Sequence, residues 1–288
     1  MAERYRPSPW LAAALVACLS AFSLPASAPS ASAGQAAAPA PAAAQSPTLE
    51  DAEIEAFLQN AKVVRTETTK KGITGSLRAT LTDGRITHDA QIQTIDESKR
   101  EFRSVRGTEF NFRDSWMFNV AAYKLDRMLG LNLVPVSVKR RWRTERAAFT
   151  WWIDDVLMDE GDRLKGQVAP PEPKSWNEQM QLVRLFDQLI YNVDRNMGNL
   201  LITRDWRVWA IDHTRAFRSH ETLKSPENVT RCDSQVLERL KQLDKATLKR
   251  ELGEYVDEWQ IDALLVRRDL IVSRIEKAGA TALFTRTR

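Results

Sequence analysis

The sequence is poor in the residues that staple or metallate small folds. It has two cysteines and three histidines among 288 residues. One cysteine, Cys18, sits in an apolar run near the start, leaving Cys232 alone in the rest. A disulfide framework and a four-cysteine zinc site are therefore excluded. His88, His213 and His220 have no metal-ligand spacing between them. An excess of charge of one sign is also missing, with 42 basic against 38 acidic residues and a net charge of +4. That balance does not describe a nucleic-acid binder, and no nucleic-acid partner is expected. Long apolar runs are absent too: the stretch from Trp10 to Leu24 is interrupted by Ser20 and Ser23 and followed by Pro25, too short to span a membrane. No internal repeat is visible.

What is present divides sharply. Residues 1–50 hold 17 alanines and 7 of the 12 prolines, a composition that builds no globular domain. Arg4 and Arg6 precede the apolar run, and the small-residue triplets Ala26-Ser27-Ala28 and Ala31-Ser32-Ala33 follow it. A charged start, a short apolar stretch and an A-x-A site make a secretory signal peptide over 1–33. Cleavage after Ala33 avoids placing Pro29 at the first mature position. Leu15-Val16-Ala17-Cys18 also fits a bacterial lipobox, in which Cys18 becomes the lipidated first residue and a membrane tether; a cysteine there by chance is the plain alternative. Either export reading sends the protein to the periplasm or another extracytoplasmic space, soluble or lipid-anchored. Residues 34–48 then form an Ala/Pro-rich tether.

The remaining chain, about 240 residues, suffices for one two-lobed domain or two small ones. Ile54, Phe57 and Leu58 mark a short amphipathic helix over 49–62. Strands over 76–82 and 87–95 flank an Asp-Gly turn at Asp83-Gly84. A helix is expected from Trp116 to Leu129, ended by Gly130, and then strands over 134–140 and 147–156. Residues 161–175, with Pro170, Pro171 and Pro173, read as a linker. Ser175-Trp176-Asn177-Glu178 has the form of a capping box opening a helix to about Tyr191. Two short strands and three helices, near 233–243, 245–252 and 258–277, complete the chain. The expectation is an α+β architecture: a small antiparallel-sheet N-lobe (49–160) and a mainly helical C-lobe (176–288). Arg267, Arg268, Arg274 and Lys277 are assigned to the outer face of the last helix.

The chemistry concentrates between Asp194 and Asp212. Centring a hairpin turn on Asp205 and Trp206 sets Leu200 opposite Ile211 and Asn199 opposite Asp212, so an amide oxygen and a carboxylate converge at the open end. Hard oxygen ligands of this kind suit magnesium, which also takes phosphate oxygens. Asp194, just before them, is a separate carboxylate able to accept a hydroxyl proton. Any one of these residues alone is commonly a cap or a turn residue; the set in D-x-x-x-x-N then D order around an apolar hairpin is not.

Asp194-Arg195-x-x-x-Asn199, followed by that hairpin and Ile211-Asp212, resembles the signature of the atypical kinases related to phosphatidylinositol 3-/4-kinases, HipA-type kinases and secretory-pathway kinases. Ala210-Ile211-Asp212-His213-Thr214-Arg215-Ala216-Phe217 looks especially like the metal segment of type II phosphatidylinositol 4-kinases. The resemblance is specific over about residues 184–218 and looser toward the N-terminus. It implies a two-lobed protein-kinase-like fold, ATP or another nucleotide, and Mg2+ or Mn2+. It makes Asp194 and Arg195 the catalytic pair and gives the metal to Asn199 and Asp212. Gly72-Ile73-Thr74-Gly75-Ser76 would be the turn over the phosphates, with an ordinary hairpin loop as the alternative. The run Phe149–Val156 would enter an inter-lobe hinge where Asp154 and Val156 meet adenine, or would be a tryptophan-rich core strand; both readings stand.

Two residues depart from the pattern. The family's phosphate-binding lysine aligns with Gln93, and the glutamate that pairs with it aligns with Asn119. An amide pair can hydrogen-bond but brings no positive charge. Lys70, Lys71, Arg78 or Arg113 could supply one instead. The expected function is a divergent phosphotransferase acting on an unidentified hydroxyl acceptor (protein, lipid or small molecule). A catalytically weak or inactive binding module, or a nucleotidyl transferase, is the alternative. Export adds a difficulty, because nucleotides are scarce outside the bacterial cytoplasm.

Overall fold

The computed structural model describes residues 49–69, 76–104 and 107–286. The leader, the tether, Cys18, Lys70, Lys71 and both glycines of the Gly72–Gly75 turn lie outside the described residues. Helix α1 (Asp51–Asn60) opens with a capping box between Glu50 and Glu53 and buries Phe57 and Leu58. Strands β1 (Lys62–Thr68), β2 (Leu77–Thr82) and β3 (Thr87–Gln93) follow. The Asp83 carboxylate accepts the Arg85 and Ile86 amides at 2.8 and 2.9 Å and so closes the β2–β3 turn. Next come β4 (Asp96–Ser104), β5 (Gly107–Ser115), helix α2 (Met117–Leu129), β6 (Ser137–Trp142) and β7 (Glu145–Trp151). One antiparallel sheet runs in the order β1-β2-β3-β7-β6. Helices α1 and α2 both pack on β6 and β7. α2 ends as expected at Gly130, whose φ of 62° is left-handed. A Cβ there would also meet the Arg239 guanidinium, which would have to move aside.

The β4–β5 hairpin was not anticipated. Its strands read DESKREFRS and GTEFNFRDS, with charges on both faces and no apolar alternation to announce them. Among the described residues the two strands pair only with each other, and Phe102 stacks on Phe112 at 4.3 Å.

The second half also departs in detail. β8 (Val156–Asp159) pairs with β9 (Leu200–Thr203), which pairs with β10 (Val208–Ala210). The strand expected over 147–156 is therefore two strands in two sheets, joined by residues 152–155 with Asp155 left-handed at φ 53°. The segment expected as a linker contains helix α3 (Glu160–Lys165), capped by the Asp159 carboxylate on the Asp162 amide at 2.8 Å. Helix α4 (Pro173–Leu189) starts with Pro173 in its first turn, so Ser175 lies inside it and caps nothing. The short strand β11 (Cys232–Asp233) runs parallel to the last strand, β12 (Leu283–Phe284). Between them lie α5 (Ser234–Gln242), α6 (Lys245–Leu252) and α7 (Glu258–Ala278), the three helices the spacing predicts. No described helix is long and apolar enough to cross a membrane.

One arginine expected on the outer face of α7 is in the core. Arg267 has no exposed surface, and burial pushes its guanidinium down to about 10. Its Nε donates to the Leu189 carbonyl at 2.8 Å, and Nη1 donates to the Arg218 and His220 carbonyls at 2.9 and 2.5 Å. It thus ties the end of α4 to the chain beyond Asp212. Charge-assisted bonds to backbone are worth about 1.5–3 kcal/mol each, and stranded carbonyls cost more than the bonds gain. Arg267→Ala is expected to lower unfolding free energy by about 3 kcal/mol or more in urea titration; a loss under about 1 kcal/mol would contradict this role.

Candidate functional site

The α4 helix delivers the site. Beyond Leu189, Tyr191 turns the chain with a left-handed φ of 48°. The Asn192 side chain then caps the next turn, donating to Asp187 Oδ1 at 3.0 Å and accepting the Asp194 amide at 3.0 Å. Asp194 is left at the surface, its side chain 43% exposed, with Arg215 Nη1 at 4.0 Å.

Arg195 faces inward. Its Nε and Nη2 grip both Asp187 oxygens at 2.9 and 3.1 Å, while Nη1 donates to the Asn199 and Ile211 carbonyls at 3.2 and 2.7 Å. Nη2 also meets His213 Nε2 at 2.9 Å. Burial first, then the Arg195 charge, hold the His213 imidazole well below its ordinary range, so it is neutral and accepts that bond. All five guanidinium hydrogens point at structure. The residue expected as part of the catalytic pair thus spends its guanidinium on structural bonds, tying the Asp194–Asn199 segment to the Ile211–His213 segment.

The hairpin register differs by one residue from the expected pairing. Leu200 pairs with Ala210, and the Ile211 amide donates to the Asn199 carbonyl at 3.0 Å, so Asn199 stands opposite Ile211. The turn has three residues rather than two: the Thr203 amide donates to Arg207, and Trp206 takes the left-handed conformation at φ 63°. Asp212 consequently lies one residue past the ladder, where its own φ of 55° turns it out of the strand. A non-glycine residue in this conformation is held there by its surroundings at a cost of about 1–3 kcal/mol.

Those surroundings include the two departures from the family pattern. The Asn119 carbonyl oxygen accepts the His213 amide at 2.8 Å, and its Nδ2 donates to Gln93 Oε1 at 2.5 Å. Gln93 Nε2 in turn reaches Asp212 Oδ1 at 3.5 Å. Gln93 and Asn119 are only 2% and 5% exposed. A directed chain of hydrogen bonds therefore runs from the backbone after Asp212, through α2 and β3, back to the Asp212 carboxylate. The structure brings Gln93, Asn119 and Asp212 together.

It does not bring every expected residue there. Asp154 bonds the His88 ring at 2.6 Å, and His88 stacks on Trp151 at 3.5 Å, in the crossing between the two sheets. Val156 is the first residue of β8 and is exposed. Phe149 is fully buried core, so the run Phe149–Val156 is core strand first and crossing afterwards. Arg78 and Arg113 are engaged elsewhere, with Asp89 at 2.6 Å and Asp257 at 2.7 Å. Sequence reasoning missed Asp187, which orients Arg195, and Asp114 near the end of β5. Burial, reinforced by the Asp212 charge, raises the Asp114 carboxyl above the usual range. Nothing in their local spacing marks either one.

No family model and no curated protein sequence matches the chain. Solved structures do. A Fam20 protein from hydra, determined with sugar, superposes with a TM-score of 0.61 at 16% identity, covering 82% of this chain and 93% of its own. The Golgi casein kinase gives 0.54 at 15% identity over 81% of this chain and 77% of its own. The same kinase with Mn/ADP bound gives 0.53 at 15% identity over 80% and 76%. The chain has the atypical kinase-like α+β fold, with an antiparallel sheet in its N-terminal region and a mainly helical C-terminal part.

The amide chain makes a quantitative prediction. Gln93→Lys buries an ammonium and removes the acceptor of Asn119, and is expected to cost about 2 kcal/mol. Adding Asn119→Glu supplies a carboxylate partner, so the double variant should recover about 1 kcal/mol or more of favourable coupling in a urea-unfolding cycle. Strictly additive losses would show that the two side chains do not act as one unit.

Proposed function

We propose that this chain is a divergent metal-dependent phosphotransferase that moves a phosphoryl group from ATP or a related nucleotide to a hydroxyl acceptor. The observation that carries this reading is the convergence of Asp212 with Gln93 and Asn119, while Arg195 bonds the carbonyls of Asn199 and Ile211. The fold shared with a kinase solved with Mn/ADP supports the same direction.

Asn199 and Asp212 fit the role of cation ligands by donor chemistry, since both offer hard oxygens. Among the described residues no three His, Cys, Asp or Glu side chains converge, so most of a cation's coordination shell would come from phosphate oxygens and water. The cation when bound neutralises phosphate charge, which matters here because Gln93 supplies none. The residues of the chain do the rest. Gln93 presents an amide donor beside Asp212. Asp194, the exposed carboxylate of the segment, is placed to accept the proton of an incoming hydroxyl. Arg195 and neutral His213 keep both loops in register. The acceptor is a protein, lipid or small molecule, and the N-terminal leader would place the reaction outside the cytoplasm, free or tethered at Cys18.

A second reading, a nucleotide-binding module without turnover, is favoured by one observation: the Lys–Glu ion pair is replaced by a neutral amide chain. Two variants separate the readings. Asp212→Asn is expected to abolish the Mn2+/ADP-dependent rise in melting temperature seen in wild type. Asp194→Asn should keep that rise while phosphoryl transfer falls about 100-fold or more, as for loss of a general base. Equal melting shifts in wild type and Asp212→Asn would refute the site. Binding without any turnover in wild type would favour the module.

A further inference from the structure

The site holds a carboxylate that the atypical-kinase signature does not account for. Asp114 is 7% exposed, and its Oδ1 is buried with no hydrogen-bond partner. β5 is fastened to the Asp212 segment there, because the Ser115 amide donates to the Thr214 carbonyl at 2.9 Å. The Thr214 hydroxyl donates to Asp212 Oδ1 at 3.2 Å. A hydroxyl has one proton to donate, so that bond leaves none for Asp114 Oδ1, which stays without a partner. Two acidic groups thus lie against one short segment, the more buried of them with an oxygen that no donor meets.

Arg215 and Arg218, the arginines whose charge reaches Asp114, are shared with Glu109. Arg215 pairs with Glu109 and lies over the Phe112 ring at 4.9 Å, and its Nη1 is 4.0 Å from Asp194. Arg113 pairs with Asp257 at 2.7 Å and Arg218 with Glu109 at 2.7 Å. Where the kinase pattern has a lysine, this chain has Gln93, whose donor is 3.5 Å from Asp212. A buried carboxylate with an unpartnered oxygen, whose nearby arginines are shared with another acid, is costly, and such groups are normally paired or coordinate metal.

We infer that Asp114 is a further protein ligand of the divalent cation assigned to Asn199 and Asp212, its carboxylate and the Thr214 hydroxyl completing an oxygen-lined pocket between β5 and the Asp212 turn. The inference rests on the proposed reading of that site and adds to it. With Gln93 in place of a lysine the phosphate region lacks that positive charge, and the buried Asp114 carboxylate would strengthen the hold on a cation that supplies it. Two carboxylates and an amide oxygen form a hard donor set suited to Mn2+ or Mg2+. With two carboxylates, the ion no longer depends on phosphate oxygens to stay.

The test is a titration of the purified chain with Mn2+ alone, reading free ion by electron paramagnetic resonance, with melting temperature in EDTA measured in parallel. Wild type is expected to bind one Mn2+ per chain without nucleotide. Asp114→Asn should weaken that binding about tenfold or more while the variant still melts cooperatively in EDTA, because the metal ligand is lost and the fold is kept. Unchanged Mn2+ affinity in Asp114→Asn, with affinity lost in Asp212→Asn, would overturn the role of Asp114 and leave the proposed site standing. Unchanged affinity in both would overturn the site as well. Should Asp114→Asn fail to fold, the wild-type titration decides: absence of saturable Mn2+ binding without nucleotide would refute the inference.

Discussion

The site depends on the placement of one carboxylate. Asp212 sits one residue past a hairpin ladder in a left-handed conformation, and the structure holds it from two sides. From the sheet side, Asn119 accepts the His213 amide and passes a hydrogen bond through Gln93 to the Asp212 side chain. From the helical side, Arg195 grips the Ile211 carbonyl and the His213 ring. Residues 211–213 are therefore bonded before, after and at the carboxylate. A buried amide chain can do this without the desolvation penalty that a buried ion pair carries.

That choice of amides has consequences for chemistry. A lysine–glutamate pair fixes a lobe and delivers charge to a phosphate, whereas the Gln93–Asn119 pair fixes the lobe and delivers none. Whatever catalytic power the site has must then come from positioning and from charge held elsewhere. The buried Asp114, fastened beside the Asp212 segment by the Ser115–Thr214 backbone bond, supplies a place for that charge in the inferred site. The unexpected β4–β5 hairpin gains a purpose in this account, because its last residues carry Asp114 to Asp212 and its Glu109 engages Arg215 and Arg218.

Much of this was legible in the residues. Gly130 ends α2, the Asp83-Gly84 turn joins β2 to β3, and the three C-terminal helices fall where the spacing puts them. Gln93 and Asn119, named as the substitutes for an ion pair, do touch each other. What stayed hidden was mostly long-range. Arg267 reads as a surface residue because its three carbonyl partners lie 47 to 78 positions away. Arg195 reads as a reacting group because its motif position says nothing of Asp187. The hairpin register slipped by one because Trp206 accepts a left-handed conformation usually left to smaller residues, adding a third residue to the turn.

The remaining tension is between address and chemistry. On the proposed reading, the export leader expected from the sequence would set a nucleotide-using site where nucleotides are scarce, and a site that retains its cation without nucleotide would be one way to live with that. The most direct measurement is a crystal structure of the chain soaked with Mn2+ and ADP. The account predicts the cation on Asp212 and Asn199, with the phosphates reaching toward Gln93. Nucleotide bound away from Asp212, or no nucleotide bound at all, would contradict it.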